Sequence, residues 1–288
     1  MNYLEKCVQF IDSVNKDYEK DGLGSLYFKE RNVAVCIREK YDSCNKNKPQ
    51  KYFSDLHNKY NEKGIRLIQL FDWQIDNDDS WTKIQSLLTI AIGSPRRVYA
   101  RNCEIREVTN DEARVLNDQI HMQGHRNAKV TYGLFYKDEL VQIMSFSKAK
   151  WNRNIKGENE WEIIRGCPGS NNIVIGGCAK CFSHFIRDYD PDCIFSYCDT
   201  GLFNGASYRA IGMKYAGNTG ETKWWILDEY DEKTNTHGIV IPRNPARYKE
   251  YKTRSNNTII WTAGSDRYVW CKEGYTYTGK GKELLATT

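Results

Sequence analysis

Apolar residues recur at helical spacing over residues 4–20, where Leu4, Val8, Ile11 and Val14 share a face and Asp21-Gly22 ends the run. The pattern then shortens to that of strands: two β-rich runs, 25–28 and 32–37, are joined by a Lys-Glu-Arg turn. After the polar loop NKNKPQ, residues 52–62 carry a helical pattern that stops near Gly64, and IRLIQLFDW reads as a strongly apolar strand. SWTKIQSLLTIAIG follows with helical character and Ser80 as its expected N-cap. Residues 94–97, Ser-Pro-Arg-Arg, are the expected linker, with a second unit starting at 99–108. In that unit 111–119 is helical, capped by Asn110, and VTYGLFYKDELVQIMSFSKA alternates as a β-hairpin turning at Lys137-Asp138.

The chain is organised around residues 161–214. A short β run at 161–165 is followed, after a loop, by Val174-Ile175 and the pair Gly176-Gly177, which opens a helix through about Arg187. Pro191 separates that helix from a compact apolar strand at 193–198 ending in Asp199, and a second helix at about 205–211 stops at Gly212. This alternation predicts a β-α-β unit with parallel neighbouring strands and a right-handed crossover.

Composition adds bounds. The chain has 288 residues, enough for two domains, with 40% hydrophobic and 27% charged residues, an ordinary globular balance. It has no run of about 20 apolar residues, and MNYLEKCVQF lacks the apolar core of a signal peptide, so a cytoplasmic location is expected. Ten cysteines scattered through apolar segments are expected to be reduced and buried; Cys178 and Cys181 form a C-x-x-C without a second ligand pair, so no metal is expected. The formal net charge is +5, and from Lys233 onward ten Lys/Arg face four Asp/Glu. That end is where a polyanion would be sought, or it is a solvated basic surface.

Candidate chemistry lies in the second unit. Gly176-Gly177 allows positive φ and close ligand approach, and the free N–H groups of the following helix make an anion site; a plain tight turn has the same signature. His121 and His125 in IHMQGHRNA are candidate general bases, or residues of a polar helix-end loop. Arg165 and Asp199 end their strands, where open α/β sheets bind ligands, and either act on a substrate or pair with each other. Lys148, Lys150, Arg153 and Lys156, interleaved with Trp151, can meet phosphates with cations and a base with an indole, or form a connection with one packed Trp.

The order of elements at 161–214 resembles the GNAT acetyltransferase core. More narrowly SYCD, NG, Y and G at 196–212, followed by KWWI at 223–226, resemble the GNAT-related domain of phage homing-endonuclease-like proteins, with Mom-type DNA-modifying enzymes as distant relatives. The resemblance spans about 99–226 and implies that Ile175, Gly176, Gly177, Cys178, Ala179 and Lys180 hold acetyl-CoA or another acyl-CoA. It also implies that Tyr208 protonates the leaving thiolate. IGGCAK is a partial form of the usual Q/R-x-x-G-x-G/A signature. Residues 1–94 resemble the Vsr-like PD-(D/E)xK nuclease domain of the same phage proteins. There the Asp position falls on Ser25, the Glu on Cys36, the Asn on Arg38, and the His and Lys on Phe53 and Leu56, which implies a nuclease fold without its Mg²⁺ chemistry.

The expected architecture is therefore α/β (α+β). A degenerate restriction-endonuclease-like domain occupies 1–94, a GNAT-like mixed-sheet domain 98–227, and a basic β appendage 228–288. Two functions follow. One is a transferase acting on a nucleobase or protein amino group, with Asp199, Tyr208, His121 and Arg165 as its catalytic set. The other is a catalytically silent module that binds DNA or a host protein.

Overall fold

The computed structural model describes residues 2–39, 51–149, 159–169, 171–220, 223–231, 236–240, 258–277, 279 and 281–285. The chain opens with α1, Tyr3–Val14, started by a capping box in which Asn2 accepts from the Glu5 N–H and the Glu5 carboxylate accepts in return. β1 (Glu19–Lys20), β2 (Leu26–Phe28) and β3 (Val33–Arg38) pair antiparallel, and β4 (Arg66–Phe71) joins β3 in parallel. The parallel pair needs a crossover, which contains α2, Tyr52–Asn61. Alternation in β3 and β4 buries both faces. Val35, Ile68 and Leu70 meet Ile84, Leu88 and Ile92 of α4 (Asp78–Ile92), which follows the short α3 (Asp72–Asp76). Ala34, Cys36 and Leu67 meet Leu56 and Tyr60 of α2 on the other side. The cap of α4 is Asn77 rather than Ser80: the Asn77 side chain accepts from the Ser80 N–H at 2.9 Å, placing Ser80 inside the helix.

The second unit begins with β5 (Arg96–Tyr99) and β6 (Glu104–Glu107) and continues into α5 (Asn110–Ile120). Thr109, not Asn110, caps α5, in a reciprocal box with Glu112; Asn110 is instead tied to the main chain of Ala128. β7 (Val130–Tyr136) and β8 (Glu139–Lys148) form the expected hairpin, turning at Lys137 and Asp138 with φ of 51° and 63°. β9 (Glu160–Pro168), β10 (Asn172–Ile175), α6 (Gly177–Tyr189), β11 (Cys193–Asp199), α7 (Ala206–Ala210) and β12 (Lys214–Asn218) follow. β10 leaves the main sheet and pairs in parallel with β5.

Beyond β12 lie β13 (Lys223–Asp231), β14 (Thr236–Val240) and β15 (Thr258–Trp261), an antiparallel three-stranded sheet. The last strand, β16 (Ser265–Cys271), returns between β11 and β12 and is followed by α8 (Lys282–Leu285). The main sheet thus has the order β12-β16-β11-β9-β8-β7-β6. This corrects the expected boundary at 227/228, which falls inside β13 and would detach β16 from the sheet. The cause is burial: Tyr268 and Val269 are 1% and 2% exposed on opposite faces of the sheet, so the segment cannot serve as a surface appendage. The α+β class holds.

The two units share packing. Leu202, from the turn after β11, is buried in the core of the first unit, and Met122 packs against the same cluster. The described cysteines are free thiols. Among the described residues, no helix is long and apolar enough to cross a membrane.

Candidate active site

β9 and β11 pair in parallel only over Glu160–Glu162 and Cys193–Phe195. At the next step a side chain takes over, as Ser196 Oγ donates to the Ile163 carbonyl at 3.0 Å. From there β9 runs on to Pro168 and β11 to Asp199 without further ladder between them. A bulge is the local cause. The β8–β9 register steps from Phe146↔Ile163 to Ser145↔Arg165, leaving Ile164 as the extra residue, which bends the strand and resets its alternation. Glu162 and Arg165 consequently face the same neighbour although an odd number of residues apart. Glu162 lies 3.9 Å from Arg126, and Arg165 Nε donates to the Gly124 carbonyl at 2.8 Å.

On one face of this opening sit Ser196 and Cys198, directly paired with Tyr268 and Asp266 and packed beneath α6 and α7. The Tyr208 hydroxyl of α7 is 3.0 Å from Ser196 Oγ. Ser196 has one hydroxyl proton, and giving it to Ile163 leaves Tyr208 as the donor in that contact. Burial raises the Tyr208 pKa well above its ordinary value, so the phenol stays protonated. Its ring stacks on Tyr268 at 5.2 Å. Gly205 sets this geometry: its φ is +74°, and a Cβ there would stand 1.9 Å from the Tyr268 hydroxyl.

α6 starts at the glycine turn. Gly176 takes φ of 77°, the left-handed region, and the first N–H groups of the helix have no partner within it. A Cβ on Gly177 would lie 2.0 Å from Gln142 Oε1, so close packing against β8 itself requires glycine there. The Lys180 ammonium, expected at the cofactor, donates to the Ala100 and Cys103 carbonyls at 3.0 and 2.5 Å. It fastens α6 to the segment after β5, which leaves main-chain donors rather than this cation to meet an anion. Ile175 is exposed, and Cys178 accepts a hydrogen bond from Gln142 Nε2 at 3.4 Å.

Asp199 lies on the opposite face, one position out of phase with Cys198. Burial pushes its carboxyl up to about 6, against the lowering effect of the Gly201 N–H on Oδ1 at 2.8 Å. The turn it begins is clamped by the first unit. Gln69 N–H donates to the Gly201 carbonyl and Arg66 Nε to the Leu202 carbonyl, both at 2.8 Å, and the Arg66 guanidinium covers the Phe203 ring at 4.7 Å.

Two expectations change. Arg165 donates to the carbonyls of Gly124 and Ile164, and more distantly to that of Gln123, so it anchors the 123–124 segment to β9. His121 is pushed down to about 3 by burial and by the nearby Arg165 and Lys83 charges, which makes it a poor proton acceptor. Sequence reasoning named Asp199 and Tyr208 but missed Ser196 and Gln142. Ser196 was legible only through alternation within SYCD; Gln142 had no local signal.

Of the basic loop, Lys148 holds its ammonium 4.6 Å from the Trp161 ring and donates to Asn159 Oδ1 at 2.5 Å, while Lys129 approaches the same ring at 5.7 Å. Lys150, Trp151, Arg153 and Lys156 lie outside the described residues. In the first unit Ser25, Cys36 and Arg38 do come together. Arg38 Nε donates to Cys36 Sγ at 3.0 Å, and the Tyr60 hydroxyl, which donates to the Asp21 carboxylate, lies 3.1 Å from Ser25 Oγ, while Phe53 and Leu56 are buried core. Among the described residues no cluster of three His, Cys, Asp or Glu side chains could hold a metal ion.

No family model and no curated protein matches the chain. Among solved structures it is similar to an N-acetyltransferase from Staphylococcus aureus Mu50, with 10% identity over 59% of this chain and 97% of that one and a TM-score of 0.29. It is also similar to a probable acetyltransferase from Staphylococcus epidermidis ATCC 12228, with 9% identity over 59% and 99% and a TM-score of 0.33. A third is N-acetylglutamate synthase from Neisseria gonorrhoeae complexed with coenzyme A and N-acetyl-glutamate, with 12% identity over 79% and 50% and a TM-score of 0.28. These overlaps are too loose to transfer a residue role.

Proposed function

We propose that the second unit is a GNAT-like, acyl-CoA-dependent transferase acting on an amino group, with a nucleobase amino group of DNA as the acceptor. The observation that carries this reading is the opening between β9 and β11, which has a phenol donor on one face and a carboxyl of pKa about 6 on the other. Such a gap gives an acceptor and a donor access to one point from opposite sides of the sheet. An acyl-CoA, when bound, would supply the activated thioester; the main-chain N–H groups after Gly176 fit its phosphates, and the Lys180 ammonium does not.

The chain's own residues would act as follows. Asp199, ionised above about pH 6, accepts the proton lost by the attacking amino group. Tyr208 gives its proton to the departing sulfur and is recharged from solvent. Arg165 positions the 123–124 segment. An adenine N6 in this role would have to leave the base stack.

A specific observation favours the second reading, a silent binding module. Ser25 and Cys36 offer neutral side chains where the resemblance places carboxylates, and Arg38 a guanidinium where it places an Asn, so one half of the chain has kept a fold without carboxylate chemistry. Purified protein incubated with acetyl-CoA and single-stranded DNA separates the two readings. Release of free thiol together with an acyl-bearing nucleoside supports transfer; neither product, with DNA still bound, supports the silent module.

A further inference from the structure

A second cavity, of about 440 Å³, lies where α2 of the first unit meets the ends of β11, β12 and β16. It adjoins the Tyr208 face of the opening described above: Asp266 and Tyr268, which line it, pair directly with Cys198 and Ser196, whereas Asp199 belongs to the other face of the sheet. Its polar groups are unusually specific about what they lack.

His57 is 3% exposed, and its Nδ1 has no hydrogen-bond partner. The imidazole's other nitrogen bonds the Thr200 main chain, whose N–H is already given to Gly264, so Nε2 is the donor and the Thr200 carbonyl the acceptor. A neutral imidazole has one donor and one acceptor, and burial keeps this ring neutral by lowering its pKa. Nδ1 is therefore a buried lone pair awaiting an N–H or O–H. Asp266, 9% exposed and acceptor-only when ionised, takes one bond at Oδ1 from Asn218 Nδ2 at 2.8 Å. Both groups ask for hydrogen-bond donors from an occupant.

The other walls ask for something different. Tyr215 is 45% exposed and meets Tyr268 at a steep angle of 69°, leaving its own ring free for a flat partner. Arg209 spends NH1 on the Asn204 carbonyl and the Tyr268 hydroxyl, and Lys51, at the start of α2, lines the same cavity. A flat ring, an amino group and an anion together describe one class of ligand.

We infer that this cavity is a nucleotide-binding site, taking an amino-bearing base against Tyr215, its amino group toward His57 and Asp266, and its phosphate toward Arg209 and Lys51. The nucleotide arrives either free or within a single strand. Binding here requires no transfer chemistry, so the inference stands or falls apart from the proposed reaction.

The test is calorimetric titration of the full chain with dAMP, with the purine deoxynucleotide lacking the 6-amino group, and with a short oligo-dA. The expected result is saturable dAMP binding that weakens roughly 10-fold in Tyr215→Ala, a partly exposed position whose truncation removes a stacking surface. The analogue without the amino group should bind more weakly than dAMP by a similar factor, and His57→Gln should narrow that difference. Saturation by oligo-dA alone, with the same loss in Tyr215→Ala, would mark a strand-borne nucleotide. No saturable binding of either probe would overturn the inference. So would binding that Tyr215→Ala leaves unchanged, or equal affinity for the analogue without the amino group.

Discussion

Asp199→Asn should cost the protein its activity and make it more stable, and the sign and size of the second effect follow from the structure. The folded carboxyl has a pKa of about 6 against an ordinary 3.8, because burial penalises its charge. A group whose folded pKa is raised contributes stability that is complete at low pH and is lost as pH rises through the folded value. The penalty for holding Asp199 ionised therefore starts near pH 4, grows to about pH 6 and is constant above. With a shift of roughly two units, it reaches about 3 kcal/mol at full ionisation. Asn keeps the shape and can still accept the Gly201 N–H, so it removes the penalty without opening a hole. For a chain of this size the variant should melt on the order of 5–10 °C higher than wild type at pH 8 and equally at pH 4. Loss of a general base would slow transfer by about 10²–10⁴-fold, and the wild-type rate should rise with pH through about 6. Melting curves of both proteins from pH 4 to 8 make the check. A variant that melts lower at pH 8, or a difference independent of pH, would refute the assignment of Asp199 as a buried, raised carboxyl.

Tyr208→Phe removes the phenol proton but keeps the stack on Tyr268, so thiol release should fall at least about 10-fold while the melting temperature moves little, as paired rate and melting measurements would show. Gly177→Ala drives a Cβ into the buried Gln142 side chain and should destabilise the fold by roughly 1–3 kcal/mol in urea denaturation. Cys193 and Cys271 are directly paired across β11 and β16 with Sγ atoms 3.7 Å apart. Diamide, reduced as the two thiols lose two protons and two electrons, should join them, and peptide mapping should find that disulfide in wild type and not in Cys271→Ser.

The elements that could be read from the sequence are those whose signal is local. Lys137-Asp138 announced the hairpin as the polar pair between two alternating runs, and both residues adopt the positive φ that the turn imposes. The parallel β9–α6–β11 unit followed from alternating periods and from the glycines at 176 and 177. Caps were misplaced by one to three residues, Asn77 for Ser80 and Thr109 for Asn110, because Ser, Thr and Asn can all cap and only the geometry selects among them. What escaped was long-range. β16 enters beside β11 from far along the chain, and nothing in YVWCK distinguishes a central strand from an edge. His121 looked like a base near neutrality, yet burial first, and then the charges of Arg165 from β9 and Lys83 from the other unit, hold it neutral. The bulge at Ile164, which parts the strands, exists only in the pairing with β8.

The most direct measurement is mass spectrometry of enzymatically digested DNA from cells expressing wild-type protein, Asp199→Asn or a vector control. The transferase account predicts a nucleoside heavier than its parent by the mass of an acyl group in the wild-type sample, absent from the other two. Unchanged nucleosides in all three, with the wild-type protein folded and expressed, would contradict it.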